Sequence, residues 1–311
     1  MNLANLDFLK LDPRYFKAFI AAAEYENFSV AATQAAMTQS GISQHISKLE
    51  DQLAVSLFMR SSKATVLTEE GKALLSYIRS YNDSIQSLIE TINKERKFIE
   101  GLVSYAMPPS CLLSPHFPML LERRLNYPDL ELKVELLPND DILPLVIDGK
   151  IDFGFVTEKV EHPLLSYQKF CDEEYIFVGA DAAGIKSLNA ENLLSQKFIN
   201  YPGMGVYFNY WKKHYLPECV NISDRSLHHA GEMNSIEGAI HMVAGSLGLS
   251  VFPRHCVQHH IESEKLFEYI DTSRPPLTNT IHIVTRKHPE LPARVTTVID
   301  WFLDMHRNDP K

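Results

Sequence analysis

The chain has little cysteine and no long apolar run. Its four cysteines among 311 residues, Cys111, Cys171, Cys219 and Cys256, are widely spaced and form no C-x-x-C pair. That argues against a disulfide framework and leaves reduced thiols as the economical reading. No apolar stretch approaches the roughly 18 residues that a membrane span needs. The first residues lack a basic segment followed by an apolar core, so no secretory signal is expected. G-x-S-x-G, Walker A and H-E-x-x-H sequences are all missing, which removes the common signatures of catalysis. The closest approach to a metal motif is His255-Cys256-x-x-His259-His260, where His255 and His259 share one helical face. Surface histidines in an acidic chain explain it more simply. The reading expects no enzyme, no metal, no cofactor and no membrane partner.

Net positive charge is also missing. The formal charge of −9 argues at first against a nucleic-acid partner. Its distribution weakens that argument. Residues 1–97 hold eleven basic and eleven acidic groups, and the rest of the chain holds nineteen and twenty-eight. All the acid excess therefore lies in the C-terminal part, and a neutral N-terminal unit still binds phosphates if its cations cluster. The length suggests about two domains, and 45% hydrophobic residues is ordinary for a globular protein.

What is present is concentrated between Phe28 and Phe58, FSVAATQAAMTQSGISQHISKLEDQLAVSLF. Two short helical patterns flank a polar corner, Met37-Thr38-Gln39-Ser40. In the second, Ile42, Ile46, Leu49 and Leu53 follow a 4-3-4 spacing that lines one face. The opposite face offers Gln39, Ser40, Ser43, Gln44, Ser47 and Lys48. A helix that is dry on one side and carries amides and hydroxyls on the other can pack on a domain and enter a DNA major groove. Upstream, Asp12-Pro13 opens a helix carrying Tyr15, Phe16, Phe19, Ile20 and Ala23. Asn27 is expected to end it and Ser29 to cap the next. Val30, Ala31, Ala35 and Ala36 are small enough for close helix approach. Downstream, two β-prone runs around Ser61-Ser62-Lys63 read as a hairpin, the wing of a winged helix-turn-helix. Arg60 and Lys63 flank its tip, within reach of phosphates or a narrow minor groove.

Thr68-Glu69-Glu70 signals another helix start. Leu74, Ile78, Tyr81, Ile85, Leu88 and Ile92 then repeat in heptad fashion. Such a stripe packs on its own domain or pairs with the same helix of a second chain. Pairing is the preferred reading, because a dimer presents two recognition helices to a pseudo-palindromic double-stranded operator.

Beyond Gly101, strands are expected at Leu102–Tyr105, Leu130–Leu136, Phe153–Thr157, Tyr175–Val178, Phe198–Asn200, Ser250–Phe252 and Ile281–Val284. Helical stretches lie between them, among them 115–126, 142–148 and 236–245. The alternation predicts an α/β domain with open, largely parallel sheets. Ligands in such sheets sit beyond the carboxyl ends of strands, against helix starts. That rule selects Pro109 and Ser110, Thr157, Pro202 and Gly203, and Asn234 with Ser235. Ser110 and Thr157 are the favoured direct contacts, and hydroxyls at helix starts suit an anion or carboxylate.

The chain resembles the LysR-type transcriptional regulators. The likeness covers its whole length and is most specific in FKAFIAAAEYENFSVAATQAAMTQSGISQHISKLEDQLAVSLFMRSS and VLTEEGKALL. Ala31-Ala32, Gln39-Ser40, Ser43, Ile46, Leu49-Glu50, Leu57-Phe58, Arg60 and Leu67-Thr68-x-x-Gly71 stand at signature positions. Val243-Ala244-Gly245-x-x-Gly248-x-Ser250-x-Phe252-Pro253 and Leu145-x-x-x-Gly149-x-Ile151-Asp152-Phe153 resemble effector-domain segments. The resemblance implies a mixed fold, α+β with α/β. A winged helix-turn-helix (1–70) would be followed by a dimerising linker helix (71–97). An effector domain (98–311) like a type 2 periplasmic binding protein would complete it, with lobe I at about 98–177 and 278–311 and lobe II at about 178–277. It implies a cytoplasmic homodimer or homotetramer that binds a small molecule between the lobes and contacts RNA polymerase. Two departures stand out. Gly41 replaces a usual alanine, and the wing tip lacks its usual glycine. A redox switch through Cys219 and Cys256 is the alternative within this architecture, although no basic cluster near either points to a low thiol pKa. A solute-binding protein without DNA function is the more distant one.

Overall fold

The computed structural model describes residues 11–60, 65–92, 99–287 and 290–308. The chain divides into two compact units, 1–92 and 93–311.

In the first unit, α1 (Phe16–Tyr25), α2 (Phe28–Gln34) and α3 (Gln39–Leu53) precede a hairpin of β1 (Phe58–Arg60) and β2 (Thr65–Leu67). The 24-residue α4 (Glu69–Ile92) follows. Polar side chains set the helix starts by satisfying backbone N–H groups left free at an N-terminus. Asp12 caps a 3-10 turn, Pro13–Tyr15, that runs into α1. Asn27 caps α2, its Oδ1 accepting from Ser29 N at 2.9 Å and Val30 N at 3.2 Å. The cap is thus Asn27 and not Ser29: α1 ends at Glu26 in the left-handed region, and the extended Asn27 leads directly into α2. Thr38 caps α3 through Gly41 N at 3.0 Å, and Thr68 caps α4 through Gly71 N at 3.0 Å. Thr38→Ala is expected to cost about 1 kcal/mol, read as a lower urea midpoint for the N-terminal unit. A methyl on Gly41 would lie 3.1 Å from Thr38 Oγ1, so glycine here relieves the cap.

Phe16, Phe19, Ala31, Ala32, Ala35, Ile42, Ile46 and Leu49 form the core of this unit with Leu57, Phe58, Leu74 and Ile78. Two expectations shift. Leu53 is 38% exposed, because the helix ends in a left-handed Ala54. Val30 and Ala36 are exposed as well, so Ala31, Ala32 and Ala35 make the close approach.

In the second unit the main sheet runs β4-β3-β5-β11-β6. These strands are β3 (Gly101–Met107), β4 (Leu130–Leu136), β5 (Phe153–Val156), β6 (Leu165–Gly179) and β11 (Thr278–Arg286). Alternation along β3 sends Val103, Tyr105 and Met107 to one face and Ala106 to the other. The first face packs under α5 (His116–Arg124) and α11 (Ala293–Asn308), the second under α6 (Asn139–Ile147). β6 is the pivot of the architecture. Up to Glu174 it pairs with β11, and from Tyr175 onward with β9 (Ser250–Pro253) and β10 (Phe267–Glu268). One strand therefore serves two lobes. Lobe II adds α7 (Ala182–Lys186), α8 (Met204–Tyr215), α9 (Ile236–Ala244) and α10 (Arg254–Glu262), with β7 (Lys197–Asn200) parallel to β8 (His228–Glu232). Its core gathers Phe177, Phe198, Phe208, Trp211 and Phe252.

The sheets are mixed, not largely parallel. β4, β3 and β5 are parallel, but β11 is antiparallel to both β5 and β6. The reason is topological. β6 carries the chain out of lobe I, and β11 must bring it back alongside. Near that exit, Arg254 Nη2 bridges Glu174 Oε1 at 3.0 Å and Glu268 Oε2 at 2.6 Å.

Candidate functional site

On α3, Ile42, Ile46 and Leu49 are buried, while Gln39, Ser40, Ser43, Gln44, Ser47 and Lys48 are all exposed. Ser40 Oγ lies 3.1 Å from the capping Thr38 Oγ1, so its hydroxyl is partly committed. Lys48 Nζ sits 5.3 Å from the centre of the Tyr15 ring, an attraction that leaves the cation at the surface. The wing pairs Phe58 with Leu67 and Arg60 with Thr65. Lys63 lies outside the described residues, as does the side chain of Arg60.

The heptad stripe divides into two parts. Leu74 and Ile78 are buried in the core of their own unit, and Tyr81 packs edge-on against Phe16 at 5.8 Å. Ile85 and Leu88 are 39% and 56% exposed. The side chain of Ile92 lies outside the described residues. Tyr77 and Ile89, which the heptad count passes over, are exposed beside them.

In the second unit, the loops chosen from the strand-end rule surround a cluster of tyrosines. Thr157 Oγ1 accepts from Asn139 Nδ2, and Thr157 N donates to Asn139 Oδ1 at 3.2 Å. Asn279 Nδ2 donates to Thr157 O at 3.4 Å and reaches the Tyr175 hydroxyl at 3.5 Å. The Tyr175 ring lies 4.6 Å from that of Tyr207. Tyr207 in turn is within hydrogen-bonding reach of the buried Ser110 hydroxyl. Burial pushes the Tyr207 phenol well above its ordinary range, so it stays neutral. Gly203 stands at φ +98°, a left-handed backbone that any side chain would strain, and it lies against the Tyr207 ring. Across the cleft, the Tyr210 hydroxyl of lobe II donates to Glu158 Oε1 of lobe I at 2.6 Å.

Ser110, Thr157 and Gly203 thus converge, with Pro109 and Pro202 as their chain neighbours. Among the described residues, no hydrogen bond or ring contact joins Asn234 or Ser235 to this network. Ser235 caps α9 through Gly238 N at 3.4 Å. Asn139 follows β4 as Ser110 follows β3, so the strand-end rule would have found it if applied to every strand. Tyr175 comes from β6, and Tyr207 and Tyr210 come from α8, whose start carries no side-chain cap. The network holds amides, hydroxyls and one acid, Glu158. An anion would therefore meet backbone N–H groups here, not a lysine or arginine of this set.

The four thiols are free. Cys256 Sγ lies 3.3 Å from His255 Nε2, and Cys219 faces the Ala190 carbonyl. Burial pushes both thiols up, so neither is primed as a thiolate. Among the described residues, no three histidine, cysteine, aspartate or glutamate side chains are grouped to hold a metal, and no helix is long and apolar enough to cross a membrane.

Residues 13–72 match the family described as bacterial regulatory helix-turn-helix protein, lysR family, and residues 99–307 match the LysR substrate binding domain. A Bacillus subtilis (strain 168) protein named uncharacterized HTH-type transcriptional regulator YxjO is 25% identical over 296 residues, spanning 92% of this chain and 91% of its own. Two solved structures share the fold. Full-length LysG from Corynebacterium glutamicum with bound effector Arg has a TM-score of 0.70 at 15% identity, covering 96% of this chain and 98% of its own. Full-length CbnR complexed with its target DNA has a TM-score of 0.58 at 18% identity, covering 96% and 99%.

Proposed function

Since the chain belongs to the LysR family of transcriptional regulators, with a helix-turn-helix for DNA and a two-lobed domain for a small-molecule effector, we propose residue-level roles for both parts. In this reading the DNA-binding unit spans 1–70 and the dimerising linker 71–97. The effector domain spans 98–311, with lobe I near 98–177 and 278–311 and lobe II near 178–277. Gln39, Ser40, Ser43, Gln44, Ser47 and Lys48 meet DNA, with Arg60 and Lys63 on the wing. The observation that carries this is the division of α3 into a buried apolar face and an exposed face of amides and hydroxyls. A helix of that kind fits a major groove, and amide side chains read adenine edges.

With a neutral N-terminal unit, discrimination rests on these short polar groups more than on a broad basic surface. Gln44→Ala is expected to reduce preference for operator over random DNA by about 1–3 kcal/mol, roughly five- to 150-fold. A gel-shift competition measures it, and an unchanged preference would remove Gln44 from the reading set.

The effector in this reading is a small polar molecule held by Ser110, Thr157, Pro109, Pro202 and Gly203, with Asn234 and Ser235 at the lobe II edge. Bound effector Arg in the LysG structure, which shares this fold, supports a small-molecule ligand here. The Tyr210–Glu158 bond and the Arg254 bridge are contacts that a ligand would compete with or complete. A change in lobe closure would then alter subunit arrangement, DNA bend and contact with RNA polymerase. The working assembly is a homodimer or homotetramer in the cytoplasm, where DNA and polymerase are met. The protein is a binding module and not a catalyst. A thermal-shift screen of metabolites on the full chain tests the effector role. A ligand whose shift survives Thr157→Val and Ser110→Ala unchanged would place the effector elsewhere.

A further inference from the structure

The flank of α3 that faces the start of α1 holds side chains that the core does not explain. Tyr15 closes the 3-10 turn that opens α1, and its ring packs partly against the core of the N-terminal unit. The His45 ring lies against it, with centres 5.0 Å apart. Lys48 Nζ stands 5.3 Å from the same ring centre. His45 and Lys48 are three residues apart and so share one side of the helix. Further along that side, Gln52 Oε1 accepts from Asp12 N at 3.2 Å. The entry to α1 is thereby fixed to α3 along two helical turns.

Two donors on this seam find no acceptor among the described residues. The Tyr15 hydroxyl makes no hydrogen bond there and is not enclosed. Lys48 is exposed and forms no ion pair there. Asp12 lies within electrostatic reach of Lys48, but Arg14 holds it, Nη2 donating to Oδ2 at 2.6 Å and Nε to Oδ1 at 3.0 Å. Glu50 Oε1 is taken by the Leu57 N–H at 2.8 Å. Asp51 is exposed on the outer side of α3, and it brackets the geometry. The N-terminal residues of a recognition helix meet base edges, which puts Gln39 to Gln44 in the groove. An acid inside the groove would face phosphates, so the helix has left it by Asp51. Lys48 lies between, about 6 Å along the axis from Gln44. That level is the rim of the groove, where the sugar–phosphate backbone runs.

We propose that Tyr15 and Lys48 together hold one DNA backbone phosphate at the rim of the major groove, the Tyr15 ring keeping the Lys48 ammonium in place. This rests on the reading of α3 as the recognition helix and adds two things to it. Lys48 leaves the base-reading set, and the start of α1 contributes a residue to the DNA contact. A phosphate oxygen accepts from a phenol and from an ammonium alike. A cation is attracted to the face of an aromatic ring, so Tyr15, backed by His45, presents Lys48 at one position. Phosphate contacts fix register and carry no sequence information. Register matters here because the amides and hydroxyls of α3 are short and reach only the bases directly beneath them.

Fluorescence anisotropy on the full chain tests this with a labelled duplex of arbitrary sequence, titrated between about 50 and 200 mM salt. Each lysine–phosphate contact contributes about 0.9 to the salt slope of binding. Lys48→Ala should lower the slope by about that amount for each protomer bound. Tyr15→Phe keeps the ring and removes the hydroxyl. It should leave the slope unchanged and weaken binding roughly tenfold. Tyr15→Leu removes the ring as well and should lower the slope toward the Lys48→Ala value. In the Lys48→Ala background, Tyr15→Leu should cost no more than Tyr15→Phe does. Gln44→Ala, by contrast, should leave the slope as in the parent. The Tyr15 and Lys48 losses should be equal on a second duplex of unrelated sequence. Circular dichroism shows whether each variant is folded at the assay temperature. If Tyr15→Leu is not, Tyr15→Phe and Lys48→Ala carry the test. An unchanged slope in Lys48→Ala, parental affinity in Tyr15→Phe, or a loss confined to one sequence would overturn the proposal and leave the DNA reading standing. A parent chain that binds neither duplex would overturn both.

Discussion

Gly71→Ala is expected to destabilise the N-terminal unit by about 2–4 kcal/mol and to remove operator binding at concentrations where the parent saturates. A Cβ at this position would stand 2.2 Å from the Leu57 carbonyl oxygen and 2.9 Å from Leu67 Cδ2. The first obstacle is backbone and cannot rotate away. Leu57 is also pinned from three sides: its N–H donates to Glu50 Oε1 at 2.8 Å, its carbonyl accepts from Thr68 N at 3.0 Å, and Thr68 Oγ1 donates to the adjacent Ser56 carbonyl at 2.8 Å. Admitting the methyl means lifting the start of α4 away from the entry to the wing and losing the Thr68 cap on Gly71 N. Circular-dichroism melting and a gel shift measure the two effects. A variant with the parental melting temperature would show that the α4 start yields without loss.

The double substitution Ile85→Asp and Leu88→Asp should convert the proposed dimer to monomer. It changes four side chains per dimer, and at about 1.5 kcal/mol for each buried aliphatic group the loss is roughly 6 kcal/mol. That corresponds to a dissociation constant higher by about four powers of ten. Operator affinity should fall with it, because each monomer then reads one half-site. Analytical ultracentrifugation gives the assembly state directly. A variant that still sediments as the parent does would mean the exposed stripe on α4 has another use. Leu74 and Ile78 are unsuitable for this test, since aspartate there would unfold the monomer.

The contrast within that stripe marks how far sequence reading reaches. Heptad spacing is the same whether a helix packs on its own domain or on a partner, so periodicity alone could not divide Leu74 and Ile78 from Ile85 and Leu88. The faces of α3 were legible because one small core, built on Phe16 and Phe19, demands a single apolar stripe. Leu53 escaped because the helix closes at Ala54, a left-handed turn with no glycine to announce it. In the effector domain, strand ends pointed to Ser110 and Thr157. Asn139, at the start of α6, was missed because the strand-end rule was not carried past β4, and Asn279 because an amide in a strand reads as surface. The tyrosines of α8 were missed for a different reason: Gly203 and Met204 give no start signal. Glu173 was the least legible residue. In Cys171-Asp172-Glu173-Glu174-Tyr175 three acids in a row look solvated, and only the fold shows that the middle one turns inward.

The sharing of β6 between the lobes has a consequence for synthesis. β11 fills the slot between β5 and β6, and it is supplied from the far side of lobe II. The phenylalanine cluster of lobe I also waits for Phe302 on α11, which contacts Tyr105, Phe153, Phe155 and Phe170. A nascent chain that has emerged only as far as Leu277 holds every strand of lobe II. Its lobe I still carries two open strand edges beside an unfinished aromatic core. Lobe II is thus free to fold as it leaves the ribosome, and lobe I is completed only by the last segment of the chain. The hazard of edge-to-edge aggregation during translation falls on lobe I.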